Sequence, residues 1–236
     1  MTDTWQPFDH IRQSKRSAAE AAALEVEDGM LVGLGSGSTS MFAIEALGCR
    51  ARNGLRIQCC ATSNSSRSFA EFQGLTVLDF SSLSRVDLAI DGADEIDPLF
   101  QAIKGAGGAM LREKIVATSA GLMIAIVDDS KAVETLGVAP VPVEVLPFAS
   151  SFVMRELIEL GASVAVRKRR GEHYLTEQAN IVLDCDFGLL SRPELLGEEL
   201  SRIPGVLAHG LFISEIDIVM VGSGARVERL ERQRSP

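Results

Sequence analysis

The chain has 236 residues, of which 46% are hydrophobic and 23% are charged. This composition is that of a globular protein with a sizeable core, arranged as one large domain or as one domain with a small appendage. The formal net charge of −9 argues against a nucleic-acid-binding protein, because phosphate backbones attract clustered Lys and Arg.

The N-terminal residues "MTDTWQPFDH" lack the basic and apolar regions of a signal peptide. The apolar stretches are all far shorter than the ~20 residues that a membrane-spanning helix needs. The four cysteines show neither metal-ligand spacing nor a disulfide framework, so we interpret them as buried or idle thiols. These features predict a soluble protein of the reducing cytoplasm that does not bind membranes.

Short apolar stretches alternate with helical patterns through the first half of the chain. Residues 10–27 predict an Ala-rich helix that ends at Asp28-Gly29, and further helices are predicted at residues 39–47 and through Phe69 and Phe72. Apolar stretches that end in small or polar residues predict strands: "MLVGLG" (30–35), "LRIQCCATS" (55–63), "LTVLDF", "VDLAIDGAD" and "GLMIAIVDDS". This alternation indicates an α/β fold with a parallel sheet covered by helices on both faces.

The pattern changes after the proline-rich stretch "PVPVEVLPF". Residues 152–160 predict an amphipathic helix, "SVAVRKRRGEHYLTEQANIVLDCDF" predicts antiparallel hairpin strands, a helix follows near residues 194–200, and "GVLAHGLF" predicts another strand. We interpret this part as a small α+β unit, with the basic run Arg167–Arg170 as a solvated hairpin tip beside Gly171. The apolar stretch "IDIVMVGS" (216–223) is expected to return to the main sheet.

Three polar segments follow predicted strands. In parallel sheets ligands bind outside the carboxyl ends of the strands, so residues 35–39, 91–94 and 128–131 are expected to be neighbours in one crevice.

The first of these segments is the glycine-rich stretch "VGLGSGSTS" (32–40) between a strand and a helix. Its backbone N–H groups and the helix N-terminus are typical of an anion site, to which Ser36, Ser38 and Thr39 add hydroxyl groups. A dinucleotide-binding motif is excluded because Ser38 stands at the third glycine position and no acidic residue ends the second strand. A P-loop is excluded because no Gly-Lys-Ser/Thr follows. The alternative is a tight turn with capping serines.

The stretch "DLAIDGADEID" (87–97) places Asp91 and Asp94 at the end of a strand, with Gly92 between them. Paired carboxylates in a cleft can act as an acid and a base, because like charges raise the pKa of one of them. The alternative is a solvated or helix-capping acidic loop.

A second glycine-rich turn, "IKGAGGAMLREKIVA" (103–117), leads into a helix. Lys104 beside backbone donors suits a phosphate or an enolate oxygen. Glu113 lies within the helix, and periodicity alone favours a solvated glutamate paired with a neighbouring Arg or Lys. Lys131 in "VDDSK" is ambiguous in the same way.

Taken together, these segments resemble the type A ribose-5-phosphate isomerases from about Lys15 to Gly222. The matching motifs are "VGLGSGST", "DGADEID", "IKGAGGAMLREKIVA", "VDDSK", "PVPVEVLPFA" and "IPGVLAHGLF". The resemblance implies interconversion of ribose 5-phosphate and ribulose 5-phosphate in the pentose phosphate pathway, without a metal or organic cofactor. It also implies a Rossmann-like domain (1–138 with 208–236), a smaller inserted α+β domain (139–207), and a homodimer or homotetramer.

By motif position, Glu113 resembles the general base of this family, and the other catalytic positions match Asp91, Asp94 and Lys104. The chemistry agrees, because moving a proton between C1 and C2 through an enediolate needs one base and a cation at the oxyanion. The positions that match substrate contacts are Lys15, Ser36, Gly37, Ser38, Thr39, Gly92, Ala93, Gly105, Ala106, Gly107 and Lys131.

The chain departs from the family pattern at three places: Ser36 stands where threonine is usual, Ala106 replaces a glycine, and "TEQAN" lacks the usual glycine of its turn. Two other functions were considered, a sugar-phosphate sensor domain and an acyl-CoA-type transferase on a related fold. The acidic charge and the missing helix-turn-helix disfavour the sensor. The Asp-Gly-Ala-Asp and Lys-Gly-Ala-Gly stretches favour the isomerase over the transferase.

Overall fold

The computed structural model of the chain describes residues 7–233. The α-helices within these residues are α1 Pro7–Leu24, α2 Gly37–Arg52, α3 Asn64–Phe72, α4 Met110–Ser119, α5 Ser150–Glu159 and α6 Pro193–Arg202. The strands are β1 Leu31–Leu34, β2 Gln58–Ala61, β3 Thr76–Val77, β4 Val86–Gly92, β5 Glu95–Ile96, β6 Ala102–Ile103, β7 Ala120–Asp128, β8 Val141–Val145, β9 Ser163–Val166, β10 Lys168–Arg169, β11 Glu172–His173, β12 Ile181–Asp186, β13 Val206–His209, β14 Leu211–Phe212, β15 Ile218–Ser223 and β16 Arg226–Glu231.

The chain forms two compact units. Within the described residues, the first contains residues 7–92, 116–132 and 216–233, and the second contains residues 93–115 and 133–215. The second unit includes all of the predicted small domain (139–207) and adds residues 93–115, 133–138 and 208–215 to it. The predicted domain boundaries, 1–138 with 208–236 and 139–207, stay a prediction.

The first unit contains a seven-stranded sheet in the order β16-β15-β7-β4-β1-β2-β3. All neighbours pair in parallel except β16, which is antiparallel to β15. Helix α1 packs its Ala-rich face here, since small side chains combine high helix propensity with close approach to a sheet. The buried cluster includes Ala18, Ala22, Val32, Leu34, Ile44, Leu47, Leu88, Ile90, Ile124, Ile126 and Met220. The predicted α/β fold and the return of residues 216–223 to the main sheet are confirmed.

The edge strand β16 was missed by the sequence analysis. Its residues "RVERLE" alternate charged and apolar side chains, and they are mostly exposed. Charged side chains are common on edge strands because they discourage pairing with another chain. A short charged stretch of this kind carries little strand signal by itself.

The second unit is an α+β structure, as expected for its central part. It contains a four-stranded antiparallel sheet in the order β13-β8-β12-β9, a three-stranded sheet in the order β14-β6-β5, and the hairpin β10-β11. Its core includes Val143, Val145, Val153, Leu157, Leu183, Leu200 and Leu211.

The stretch "GVLAHGLF" was predicted as one strand, and this prediction is wrong. It divides at Gly210 into β13 and β14, which belong to different sheets. A Cβ atom at position 210 would lie 2.2 Å from the carbonyl oxygen of Lys104, so only glycine allows this approach of the two backbones.

The cysteines within the described residues form no disulfide. Cys59, Cys60 and Cys185 are buried, and burial raises the pKa of these thiols to about 12, 11 and 12 respectively. Thiols with such high pKa values are poor nucleophiles at neutral pH. Cys49 is exposed.

Among residues 7–233, none of the helices has the length and apolar character needed to cross a membrane.

Candidate active site

In the first unit, the predicted anion-binding loop lies where β1 ends and α2 begins. Gly35 leads into Ser36, which is the N-cap residue of α2, and Gly37 has a φ of +86°. A left-handed φ of this size is readily adopted by glycine and costs other residues free energy. Gly37 and Ser38 are exposed and Thr39 is half-buried. The N-terminus of a 16-residue helix is thus accessible to an anion.

Asp91 organises this loop. Its side chain is buried, and its Oδ1 accepts hydrogen bonds from the Ser36 amide (3.0 Å), the Ser40 hydroxyl (3.0 Å) and the Gly92 amide (2.8 Å). A Cβ atom at position 35 would lie 1.9 Å from the same oxygen. Gly35 therefore leaves the space that the Asp91 carboxylate fills, and the carboxylate in turn holds the backbone of the loop.

The other predicted residues of the first unit lie at the same edge of its sheet. The register aligns Leu34 with Ile90, Gly92 with Ile126, and Asp128 with Gly222, so the parallel strands β1, β4, β7 and β15 end together. A Cβ atom at Gly92 would lie 3.8 Å from Thr39. Lys131 ends a short turn in which Asp128 accepts hydrogen bonds from Ser130. The sequence predicted that residues 35–39, 91–94 and 128–131 are neighbours. This is confirmed for residues 35–39, 91–92 and 128–131, which lie at one edge of this sheet, whereas residues 93 and 94 belong to the second unit.

Lys15 on α1 also reaches the loop, and its Nζ donates to the Ser38 hydroxyl at 3.1 Å. Helix α1 is held at this position by Ser14, whose hydroxyl accepts from the Gly224 amide at 2.8 Å. A Cβ atom at Gly222 would lie 2.0 Å from the Ser14 carbonyl oxygen. Sequence reasoning missed Ser14 and Gly222, because the contact joins residues more than two hundred positions apart.

In the second unit, Lys104 and Glu113 form a buried ion pair. The distance between Lys104 Nζ and Glu113 Oε2 is 3.3 Å, and only 3% and 5% of the two side chains are exposed. The interpretation of Glu113 as a solvated helix residue is therefore wrong. Helical periodicity favoured a solvated glutamate, but its partner Lys104 directly follows strand β6, before the glycine turn. Lys104 itself is held by its amide, which donates to the Gly210 carbonyl at 2.8 Å.

The second glycine-rich turn connects these two residues. Gly105 and Gly108 have φ values of +104° and +81°, and the Gly108 amide donates to the Gly105 carbonyl at 2.9 Å. Ala106 is not among the residues with positive φ, so its Cβ causes no backbone strain there. Its amide donates to Asp94 Oδ2 at 2.9 Å. Asp94 is fixed by its own amide, which donates to the Ile103 carbonyl at 2.8 Å, and Ala93 precedes it directly.

The basic run 167–170 was interpreted as a solvated hairpin tip, and this is correct for its last three residues only. Lys168 and Arg169 form one strand of the hairpin and are exposed, and Arg170 has a φ of +55° in the turn. Arg167 is different, because its side chain is only 14% exposed and its guanidinium donates to the carbonyls of Gly105 and Ala106. A charge run in the sequence does not show which of its members turns inward.

A second ion pair lies on the same helix. Lys114 Nζ lies 3.3 Å from Glu215 Oε1. Both lysine ammonium groups also lie over the Phe212 ring, whose centroid is 4.3 Å from Lys114 Nζ and 5.3 Å from Lys104 Nζ. Burial lowers the pKa of Lys114, partly offset by Glu215. Burial alone would raise the pKa of Glu215, but Lys114 and backbone donors outweigh it and lower that pKa.

Among residues 7–233, no three His, Cys, Asp or Glu side chains are grouped so that they could hold a metal ion.

Comparison with known proteins gives consistent results. The family described as ribose 5-phosphate isomerase A (phosphoriboisomerase A) matches residues 58–226. A relative named ribose-5-phosphate isomerase A from Sphingopyxis alaskensis is 50% identical over 214 residues, which cover 91% of this chain and 94% of the relative.

Two solved structures are also similar. A D-ribose-5-phosphate isomerase in complex with phospho-erythronic acid has a TM-score of 0.91 and 35% identity, over 94% of this chain and 99% of the other. The ribose 5-phosphate isomerase A of Methanocaldococcus jannaschii has a TM-score of 0.87 and 36% identity, over 92% and 97% of the two chains. The family match over residues 58–226 includes Asp91, Lys104 and Glu113, and the 50% identical relative covers 91% of the chain. The chain therefore belongs to the ribose-5-phosphate isomerase A family of enzymes.

Proposed function

We propose that this chain interconverts D-ribose 5-phosphate and D-ribulose 5-phosphate through an enediolate, with Glu113 as the general base. The observation that carries the proposal is the buried pair of Lys104 and Glu113, whose charged atoms lie 3.3 Å apart beside a glycine-rich turn. A carboxylate that is removed from bulk water can act as the base that abstracts a proton beside a carbonyl group, and the cation next to it can stabilise the oxyanion that forms.

In the proposed mechanism Glu113 removes the proton from C2 of the aldose and returns it to C1. The carboxylate becomes neutral as negative charge develops on the oxygen atoms of the enediolate. Lys104 then stabilises the oxyanion in place of the Glu113 carboxylate, so the positive charge has an anionic partner throughout the reaction. Such a fixed donor needs little reorganisation when the charge moves.

The hydroxyl protons at C1 and C2 also have to move. We assign this task to Asp94, which uses Oδ2 to accept from the Ala106 amide and has a second carboxylate oxygen. Asp91 Oδ1 accepts three hydrogen bonds, from the Ser36 amide, the Ser40 hydroxyl and the Gly92 amide. These contacts favour a positioning role for Asp91, as the group that shapes the loop after β1.

We assign the phosphate of the substrate to the first loop, where the backbone donors of residues 36–39, the N-terminus of α2, Lys15 and Lys131 provide positive potential. Gly92, Ala93 and the turn 105–107 are proposed to contact the sugar. The ligand in one solved relative, phospho-erythronic acid, carries a phosphate and a carboxylate. Because this ligand carries the phosphate group that the proposed substrate also carries, we expect it to inhibit this chain competitively.

The chain is proposed to work in the cytoplasm as a homodimer or homotetramer, and without metal or organic cofactor, since Lys104 supplies the cation at the oxyanion. Exposed apolar side chains such as Phe148, which is 97% exposed, are consistent with association between copies. Sedimentation of the purified protein and turnover in the presence of EDTA test the oligomer and the cofactor independence.

The decisive experiment compares Glu113→Gln with Glu215→Gln. Both substitutions neutralise a glutamate that lies 3.3 Å from a lysine of the same region, so both disturb an ion pair of similar length. Only Glu113→Gln removes the proposed base. Turnover of ribose 5-phosphate should fall by about 10²–10⁴ in Glu113→Gln, the usual contribution of a positioned general base, and should change little in Glu215→Gln.

A second readout follows the transferred proton directly. Exchange of the C2 proton of ribose 5-phosphate with solvent deuterium should disappear in Glu113→Gln together with turnover. A folded Glu113→Gln variant with near-native turnover would remove Glu113 from the mechanism. Equal losses in both variants would mean that the charge balance around α4, and not a base at residue 113, controls the rate.

A further inference from the structure

The turn that connects Lys104 to Glu113 is held from outside by two side chains of a distant segment. Arg167 Nη1 donates to the carbonyl oxygens of Gly105 at 2.7 Å and Ala106 at 3.1 Å. The hydroxyl of Tyr174 donates to the Gly107 carbonyl at 3.1 Å. Three consecutive carbonyl groups of the turn thus have side-chain donors.

These contacts determine where the amides of the turn point. In a trans peptide the C=O and N–H groups point in opposite directions. Arg167 therefore turns the amides of Ala106 and Gly107 away from itself, and the Ala106 amide donates to Asp94 Oδ2 at 2.9 Å.

The guanidinium group is itself fixed in place. Its Nε donates to Asp184 Oδ2 at 3.0 Å, its Nη2 contacts Asp184 Oδ1, and its Cζ lies 6.0 Å from the centre of the Tyr174 ring. The backbone amide of Arg167 donates to the Val182 carbonyl at 2.9 Å, which ties the residue to β12. A lysine could not reproduce this arrangement, because it lacks the planar fork that binds a carboxylate and two carbonyls together.

The packing of the turn against Tyr174 is equally close. A Cβ atom at Gly108 would lie 2.4 Å from the Tyr174 hydroxyl oxygen. The turn therefore has little room to shift along this side. Arg167 and Tyr174 together restrain residues 105–108, the turn between Lys104 and the helix that carries Glu113.

We propose that Arg167, held by Asp184 and assisted by Tyr174, is a positioning residue for the isomerase reaction. It sets the peptide planes of residues 105–107, so that their amides and the Lys104–Glu113 pair face the substrate in the reactive geometry. The proposal rests on the isomerase function proposed above.

The test compares Arg167→Ala, Arg167→Lys and Tyr174→Phe with the unaltered protein. The matched control is Arg169→Ala, which removes the same charge from an exposed strand residue of the same basic run. A displacement of about 1 Å in a catalytic group can reduce the rate roughly 100-fold. We expect kcat to fall about 10- to 100-fold in both Arg167 variants and less in Tyr174→Phe, with KM for ribose 5-phosphate changed by less than about threefold.

Two further measurements separate positioning from a general loss of structure. Hydrogen exchange of the amides in residues 105–108 should become faster in Arg167→Ala and Tyr174→Phe, while exchange in the strands of the first unit stays unchanged. Methylguanidinium at millimolar concentration should restore part of kcat in Arg167→Ala and have no effect on Arg169→Ala. Tyr174→Phe removes only one hydroxyl group, so it keeps the test decisive if the Arg167 variants do not fold.

The possible failures are distinct. Isomerase activity that is absent from the unaltered protein and from Arg169→Ala would overturn the proposed function, and the positioning role with it. An active unaltered protein combined with folded Arg167 and Tyr174 variants of normal kcat would overturn the positioning role alone. A fall in kcat that only follows the folded fraction of each variant would also overturn it.

Discussion

Lowering the pH from 7 to 5 should destabilise this protein, because His209 is buried in its neutral form. Its Nδ1 accepts from the Leu211 amide at 3.2 Å, and its Nε2 lies 3.1 Å from the Ser201 hydroxyl, which itself donates to the Gly197 carbonyl. This pattern assigns the single imidazole proton to Nε2. Protonation of Nδ1 would place an N–H group against the Leu211 amide.

Burial, with a smaller effect of the positive charge on Lys114, lowers the pKa of His209 from 6.5 to about 4. Below pH 6.5 the unfolded chain therefore binds a proton that the folded chain does not bind, so the stability contributed by His209 is lost as the pH falls toward 4. One pKa unit corresponds to about 1.4 kcal/mol, which gives a maximum of about 3 kcal/mol. Between pH 7 and pH 5 the loss should be about 2 kcal/mol.

The assay is urea unfolding at pH 7 and pH 5, followed by far-UV circular dichroism. The matched variant is His209→Gln, which retains a polar side chain but cannot titrate in this range. His209→Gln will be less stable at both pH values, so the informative quantity is the change in the free energy of unfolding between them. That change should be about 2 kcal/mol smaller in the variant than in the unaltered protein.

An equal change in both proteins would refute the reasoning. It would mean that His209 binds its proton equally well in the folded and unfolded chains. NMR titration of the imidazole provides an independent check, since a pKa of about 4 means that the His209 signals move by only about a tenth of their full titration shift between pH 7 and pH 5.

Three other predictions follow from contacts in the structure. Gly35→Ala should destabilise the protein by roughly 1–3 kcal/mol and lower its activity, because the new Cβ would lie 1.9 Å from Asp91 Oδ1; a native melting temperature would contradict the close approach. Ala179→Gly should stabilise it by about 0.5–1 kcal/mol, since Ala179 has a φ of +60°, and thermal unfolding measures the sign. Lys15→Ala should mainly raise KM, because its Nζ lies 3.1 Å from the Ser38 hydroxyl of the proposed phosphate-binding loop; an unchanged KM with a reduced kcat would contradict a phosphate-binding role.

Much of the first unit could be predicted from the sequence. Apolar stretches of strand length that end in small or polar residues are local patterns, and parallel strands place their carboxyl ends at one edge. These two facts predicted that residues 35–39, 91–94 and 128–131 are neighbours, which holds for all of them except residues 93 and 94 of the second unit. The resemblance to a known family supplied the roles proposed for them.

The second unit was predicted less completely. The division of "GVLAHGLF" at Gly210 depends on the backbone of Lys104, which lies about a hundred positions earlier and has no signal within the stretch itself. Strand β16 was missed because its pairing with β15, rather than its own composition, makes it a strand. A pattern read within a few residues does not report such partners.

The sequence by itself determined most helices and strands of the first unit, the glycine turns, and the residue types available for chemistry, because these depend on local propensity and periodicity. Only the tertiary structure decided that Glu113 is buried against Lys104, that Arg167 turns inward while Arg169 stays in solvent, and that Asp91 fills the space left by Gly35. Burial and ion pairing depend on side chains that folding brings together from distant positions. The strength of a charge interaction depends on how far the two charges are buried from water, and a sequence pattern does not show this burial.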